Sequence, residues 1–143
     1  MGDTDTEQSG GQQDRRRRRS EETQQALQYQ LDHVVEEFDM DMMLLADHQG
    51  TVVTSAGAVR LAEIFAAHAP NLVQANDFQK AVGAIIPDLN PDHVFCESIS
   101  LDELPLYLCA LMQPDDASRQ GFDRARDGVQ RIYYSTSELE GAD

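Results

Sequence analysis

Basic residues are scarce in this sequence. Of 143 residues, 11 are Lys or Arg against 26 Asp or Glu, the formal net charge is −15, and Lys80 is the only lysine. Five arginines stand side by side at Arg15, Arg16, Arg17, Arg18 and Arg19, so residues 1–24 sit near balance at −1 and the remainder carries −14. So acidic a surface repels phosphate backbones, which argues against specific nucleic-acid binding by the folded part. Cysteine occurs twice, at Cys96 and Cys109, too few for a disulfide framework. The four histidines, at 33, 48, 68 and 93, share no ligand spacing, so no metal site and no cofactor is expected. No apolar run approaches the roughly 20 residues that span a bilayer. The opening MGDTDTEQSGG lacks the basic-then-apolar order of a secretory signal, and a cytoplasmic protein is expected. No catalytic motif is present, which points away from an enzyme.

What is present is an alternation of periods. Residues 1–24 contain no apolar side chain after Met1 and cannot repay ordering by burial, so they read as a disordered arm. A single domain is expected over 25–135, with a flexible tail at 136–143. Leu27, Leu31, Val34, Val35 and Phe38 recur on one helical face, with Ser20 as a cap and Glu21 and Glu22 in the favoured first turn. The run Met42 to Ala46 is too short for a helix. It leads into Asp47, His48, Gln49 and Gly50, a turn signature, and Thr51 to Thr54 read as the returning strand.

Val59, Ala62, Ile64, Phe65 and Ala66 predict a helix that stops near His68, because Pro70 disfavours helical geometry at Ala69. A short helix is expected over 72–82, then a loop from Ile85 to Asp92 with a brief strand at its start. Val94 to Ser100 and Leu104 to Met112 form a second hairpin turning at Asp102 and Glu103. Its second strand is apolar on both faces and therefore central. Phe122, Ala125, Val129, Ile132 and Tyr133 mark a closing helix over 118–134.

Several smaller signals have ordinary explanations. Asp88, Asn90 and Asp92 match the first side-chain positions of a calcium loop, but His93 stands where glycine is needed and Ile99 where a bidentate glutamate is needed, so a polar turn accounts for them better. Cys96 and Cys109 lie equally far from the expected hairpin turn. They could pair, although two buried thiols are ordinary in a core. Glu36, Glu37, Asp39 and Asp41 crowd the disfavoured end of the first helix and read as a solvated rim or a contact for a cationic partner. Met40, Met42 and Met43 read as core filling. The arginine run reads as a solubilising tail, or as an electrostatic arm for an acidic partner, a membrane surface or a nucleic acid.

The segment LLADHQGTVVTSAG, with its aspartate-to-glycine turn and small-residue exit, resembles the first hairpin of the Roadblock family, and the flanking helices agree over residues 26–134. The resemblance implies an α/β fold with one mostly antiparallel sheet of about five strands, in the order α-β-β-α-β-β-β-α. It also implies a non-enzymatic adaptor that forms a homodimer and binds a small Ras-like GTPase. The central helix and an edge strand lie at the interface in that family, which implies interface roles for Val59, Ala62, Glu63, Ala66 and Ala67. GAF and PAS sensor domains share similar hairpins, so the alternative expectation is a small-molecule sensor with its ligand near Phe65 and Phe78.

Overall fold

The computed structural model describes residues 21–101 and 104–142. Helix α1 covers 21–37. It is followed by β1 (Met42–Ala46), β2 (Val52–Gly57), α2 (Val59–Gln74), α3 (Phe78–Ile85), a 3-10 turn at Pro91–His93, β3 (Val94–Leu101), β4 (Leu104–Leu111) and α4 (Asp116–Ala142). The strands form one antiparallel sheet in the order β2-β1-β4-β3.

Strand β1 sets the layering, since all five of its residues are buried. Met43 and Leu45 point to one face, where Leu27, Leu31 and Val34 of α1 and Phe122, Ala125 and Val129 of α4 cover them. Met42, Leu44 and Ala46 point to the other, beneath Phe65 and Leu72 of α2 and Val82 of α3. Strand β4 repeats the pattern, with Leu108 and Ala110 on the first face and Tyr107, Cys109 and Leu111 on the second. Pro105 is tolerated in this central strand because its partner is Ser100 and because β1 ends opposite Tyr107, so no ladder bond needs its missing N–H.

Local chemistry fixes the corners. Asp47 Oδ1 accepts from the N–H groups of Gln49 and Thr51, both at 2.9 Å, and closes the first hairpin turn. Gly57 has φ +90°, and a Cβ there would lie 2.2 Å from the Asp41 carbonyl oxygen. Helix α1 ends on Asp39 at φ +52°, while the N–H of Met40 donates to the Val35 carbonyl at 3.0 Å, a left-handed cap made without glycine.

The structure departs from the sequence expectations at several points. Helix α2 does not stop at His68; it runs through Pro70 to Gln74. Proline removes one backbone bond, and burial of Ala69 and Leu72 against the sheet outweighs that loss. The following short helix lies at Phe78–Ile85 rather than 72–82, because Asp77 caps it by accepting from the Lys80 N–H at 3.1 Å. Among the described residues the sheet has four strands instead of about five, since α3 and the 3-10 turn occupy the stretch where a further strand was expected. Helix α4 begins at Asp116 and continues to Ala142, through the segment expected as a tail. Met40, Met42 and Met43 are core residues. Ser20, the arginine run and the turn residues Asp102 and Glu103 lie outside the described residues.

Helix α1 also seals the β2 edge of the sheet. Gln24 Nε2 donates to the Val53 carbonyl, and Gln28 Nε2 donates to the Ser55 carbonyl at 2.7 Å while its Oε1 accepts from the Thr54 hydroxyl at 2.6 Å. Val53 and Ser55 are two apart, so their carbonyls share the outward side of the strand, where an edge would otherwise offer them to another chain.

Two outcomes are expected in urea unfolding. Gly57→Ala should cost at least about 2 kcal/mol, through left-handed strain and collision with the Asp41 backbone, whereas Asp39→Gly should gain about 0.5–1 kcal/mol. Gln28→Ala should cost about 1–2 kcal/mol by orphaning the buried Thr54 hydroxyl, against about zero for the exposed Gln25→Ala.

Candidate functional site

The helix expected at the interface, α2, has no acidic residue in its first turn and no side-chain cap at Ala58. Its start is held instead by the backbone: the Ala58 N–H donates to the Asp41 carbonyl at 3.2 Å, and the N–H groups of Leu61 and Ala62 donate to the Ala58 carbonyl at 3.2 and 3.3 Å. Along its inner face Ala62, Phe65, Ala66, Ala69 and Leu72 recur at helical spacing and are buried. Three of these are alanine, so the helix axis can sit close to the strands.

Of the five interface positions implied by the resemblance, Ala62 and Ala66 are therefore already covered by the chain's own sheet, at 1% and 0% exposure, and cannot face a partner. Glu63 and Ala67 are exposed, and Val59 opens the helix. The residue missed is Ile64, a large apolar side chain left 42% exposed. The signal for it was in the sequence: Ile64 lies about half a turn from both Ala62 and Ala66, so a helix that buries those two must present it outward. Arg60, His68 and Asn71 complete the exposed face, making a small apolar spot in a polar field.

Among the described residues, two open grooves flank the helix layer. One, of about 400 Å³, is lined by Gly50, Thr51, Val52 and Glu63. The other, of about 320 Å³, lies between the start of α3 and the start of β3, where Phe78, Gln79, Pro91, Val94, Phe95 and Cys96 are among its walls. The space under α2 and α3 where a sensor domain would hold a ligand is filled by Phe65, Leu72 and Val82. The calcium-like triplet caps turns instead: Asn90 Oδ1 accepts from the Asp92 N–H at 3.0 Å, and Asp92 Oδ1 accepts from Gln79 Nε2 at 2.6 Å. Among the described residues no group of three His, Cys, Asp or Glu is placed to hold a metal, and no helix is long and apolar enough to cross a membrane.

The β3 edge differs from the β2 edge. The N–H of Met112 donates to the His93 carbonyl at 2.9 Å, so that pair is a hydrogen-bonded rung of the β3/β4 ladder. Rungs alternate, which makes Val94 with Leu111, Cys96 with Cys109, and Ser98 with Tyr107 the non-hydrogen-bonded ones. The backbone groups of Val94, Cys96 and Ser98 consequently point away from β4; the Val94 N–H is taken by the Pro91 carbonyl, which leaves those of Cys96 and Ser98 facing outward.

The opposite face uses its cations internally. Glu97 takes Arg119 at 2.6 Å and Arg126 at 3.1 Å, and Asp123 lies 3.3 and 3.2 Å from the same two guanidinium groups. The hydrogen bond to Glu97 pushes the Arg126 pKa further up. Glu37, from the acidic rim of α1, takes Arg124 at 2.9 Å and His33 at 3.3 Å. Tyr133, on α4, is pushed up by burial and by the charge of Asp47.

No model of a known protein family and no curated protein matches this sequence. Among solved structures, Myxococcus xanthus MglB superposes with a TM-score of 0.52 at 14% identity, covering 79% of this chain and 91% of that one. An MglB with a tetrameric arrangement gives 0.48 at 16% identity, over 80% and 92% of the two chains. The gliding protein MglB from Thermus thermophilus gives 0.47 at 16% identity, over 79% and 92%. The superposition on M. xanthus MglB, over most of both chains, gives this chain a Roadblock-like α/β fold.

Proposed function

We propose that this chain is a non-enzymatic regulator that dimerises and binds a small Ras-like GTPase. The observation that carries the reading is the superposition on M. xanthus MglB across 91% of that protein's length, which agrees with the Roadblock resemblance of the first hairpin. Regulation of this kind asks for a docking surface rather than a reaction centre, and the described residues offer one in the outer face of α2 and the neighbouring β3 edge. Edge asymmetry favours that side: α1 seals β2 with glutamine side chains, while β3 presents the backbone groups of Cys96 and Ser98 outward. Two β3 strands pairing across a twofold axis would join two sheets into one and bring the Ile64 spots of the two helices to the same side. The arm Arg15 to Arg19 is assigned the part of an electrostatic tether to an acidic partner or an anionic membrane, weakening with salt.

Ser98→Pro tests the dimer. At this edge position the lost N–H points outward, so the protomer keeps its own ladder and should keep its far-ultraviolet circular dichroism. Light scattering coupled to size exclusion should give a dimer for the wild type and a monomer for the variant. A monomeric wild type, or a variant that stays dimeric, refutes pairing through β3. GTPase binding is tested by affinity capture from the native lysate with GDP and with a non-hydrolysable GTP analogue in parallel. Nucleotide-dependent enrichment of a Ras-like GTPase, identified by mass spectrometry and reproduced with the two purified proteins, is the expected result. Absence of any GTPase in both captures refutes the reading.

A further inference from the structure

We propose that Cys96 and Cys109 form a cross-strand dithiol that peroxide closes to an intramolecular disulfide. The two are partners in the β3/β4 register, and the hydrogen bond from Met112 to His93 three residues away places them on a non-hydrogen-bonded rung. On such a rung the Cα atoms stand about 4.5 Å apart, with side chains closer than on the alternate rungs, which lies within the roughly 4.4–6.8 Å that a disulfide spans. Both side chains point to the α2/α3 face: Cys109 belongs to the buried cluster that includes Leu44 and Phe65, and Cys96 packs at its margin. A hydrogen bond with Cys96, ahead of burial, pushes the Cys109 pKa well up, in keeping with their opposed places in the register.

Exposure divides the chemistry between them. Cys96 is half-buried and lines the open groove beside Phe78, Gln79 and Pro91, wide enough at about 320 Å³ for hydrogen peroxide, whereas Cys109 is 1% exposed. The Cys96 thiolate attacks one peroxide oxygen and breaks the O–O bond, becoming a sulfenic acid with release of water once the leaving hydroxide is protonated. Cys109 sulfur then attacks the Cys96 sulfur, the S–O bond breaks, and the Cys109 proton leaves with the hydroxide as a second water. The two thiols are oxidised, one peroxide is reduced, and no backbone shift is needed. Closure ties the edge strand β3 to the central strand β4. This inference stands apart from the proposed GTPase reading and does not depend on it.

The test uses the full-length chain, reduced and then treated with hydrogen peroxide. Maleimide counting under denaturing conditions should fall from both thiols to none, intact mass should drop by two hydrogens, the chain should run as a monomer on a non-reducing gel, and dithiothreitol should restore both thiols. The urea midpoint should be higher in the oxidised form. In Cys109→Ser, the same peroxide should leave Cys96 as a sulfenic acid that dimedone traps, with no gain in stability. Two results would overturn the proposal: a wild type that retains both thiols at a peroxide dose that labels Cys96 in Cys109→Ser, or a disulfide that joins two chains instead of closing within one.

Discussion

A strand that is apolar on both sides can persist only where both sides are covered. Strand β1 is such a strand, with five consecutive buried residues, and β4 beside it is the second. Two helices per face are what this pair demands, and α1 with α4 on one side and α2 with α3 on the other supply them. The less apolar strands are then left for the edges: β2 carries Thr54 and Ser55, and β3 carries Glu97, Ser98 and Ser100.

The two edges are handled by different chemistry, and the difference has consequences. At β2 the outward carbonyls of Val53 and Ser55 are satisfied by Gln24 and Gln28, residues that a helical wheel would assign to an uninformative polar flank of α1. At β3 the side chains are managed, with Glu97 held by Arg119 and Arg126, while among the described residues no side chain clips the outward backbone of Cys96 and Ser98. A glutamine clip costs the helix little in propensity and forecloses pairing at β2, so among the described residues β3 is the more open of the two edges.

Much of this was legible in the sequence wherever apolar periodicity was strong. The face Leu27, Leu31, Val34, the run MMLLA, the turn at Asp47 to Gly50, and the doubly apolar β4 are all where the pattern put them, because hydrophobic burial both creates the pattern and decides the fold. The failures came where a local rule was opposed by packing. Pro70 signals a helix end, yet Ala69 and Leu72 bury enough to carry α2 past it. The short helix expected over 72–82 lies instead at Phe78–Ile85, because α2 takes the residues to Gln74 and Asp77 caps the new start by accepting from the Lys80 N–H. On α2 the sequence reading mixed the inner and outer faces, since alanine gives no sign of whether it looks inward or outward. Ala62 and Ala66 look inward, and Ile64, the exposed large apolar residue of that helix, looks outward.

The substitution of a helix for a strand also relocates the edge. Where the Roadblock resemblance implies a further strand after the central helix, this chain has α3 and a 3-10 turn, so β3 becomes the last strand of the sheet. The rung parity that turns the backbone groups of Cys96 outward is the same parity that sets its side chain against Cys109, because in an antiparallel ladder the residues not bonded to the inner neighbour are those whose side chains approach most closely across it. A bridge to Cys109 engages the side chain and leaves the Cys96 N–H and C=O free. Oxidation would therefore stiffen the exposed edge without occupying it, and the two properties can be varied separately: Ser98→Pro removes the donor that faces a partner, and Cys109→Ser removes the bridge that faces the sheet.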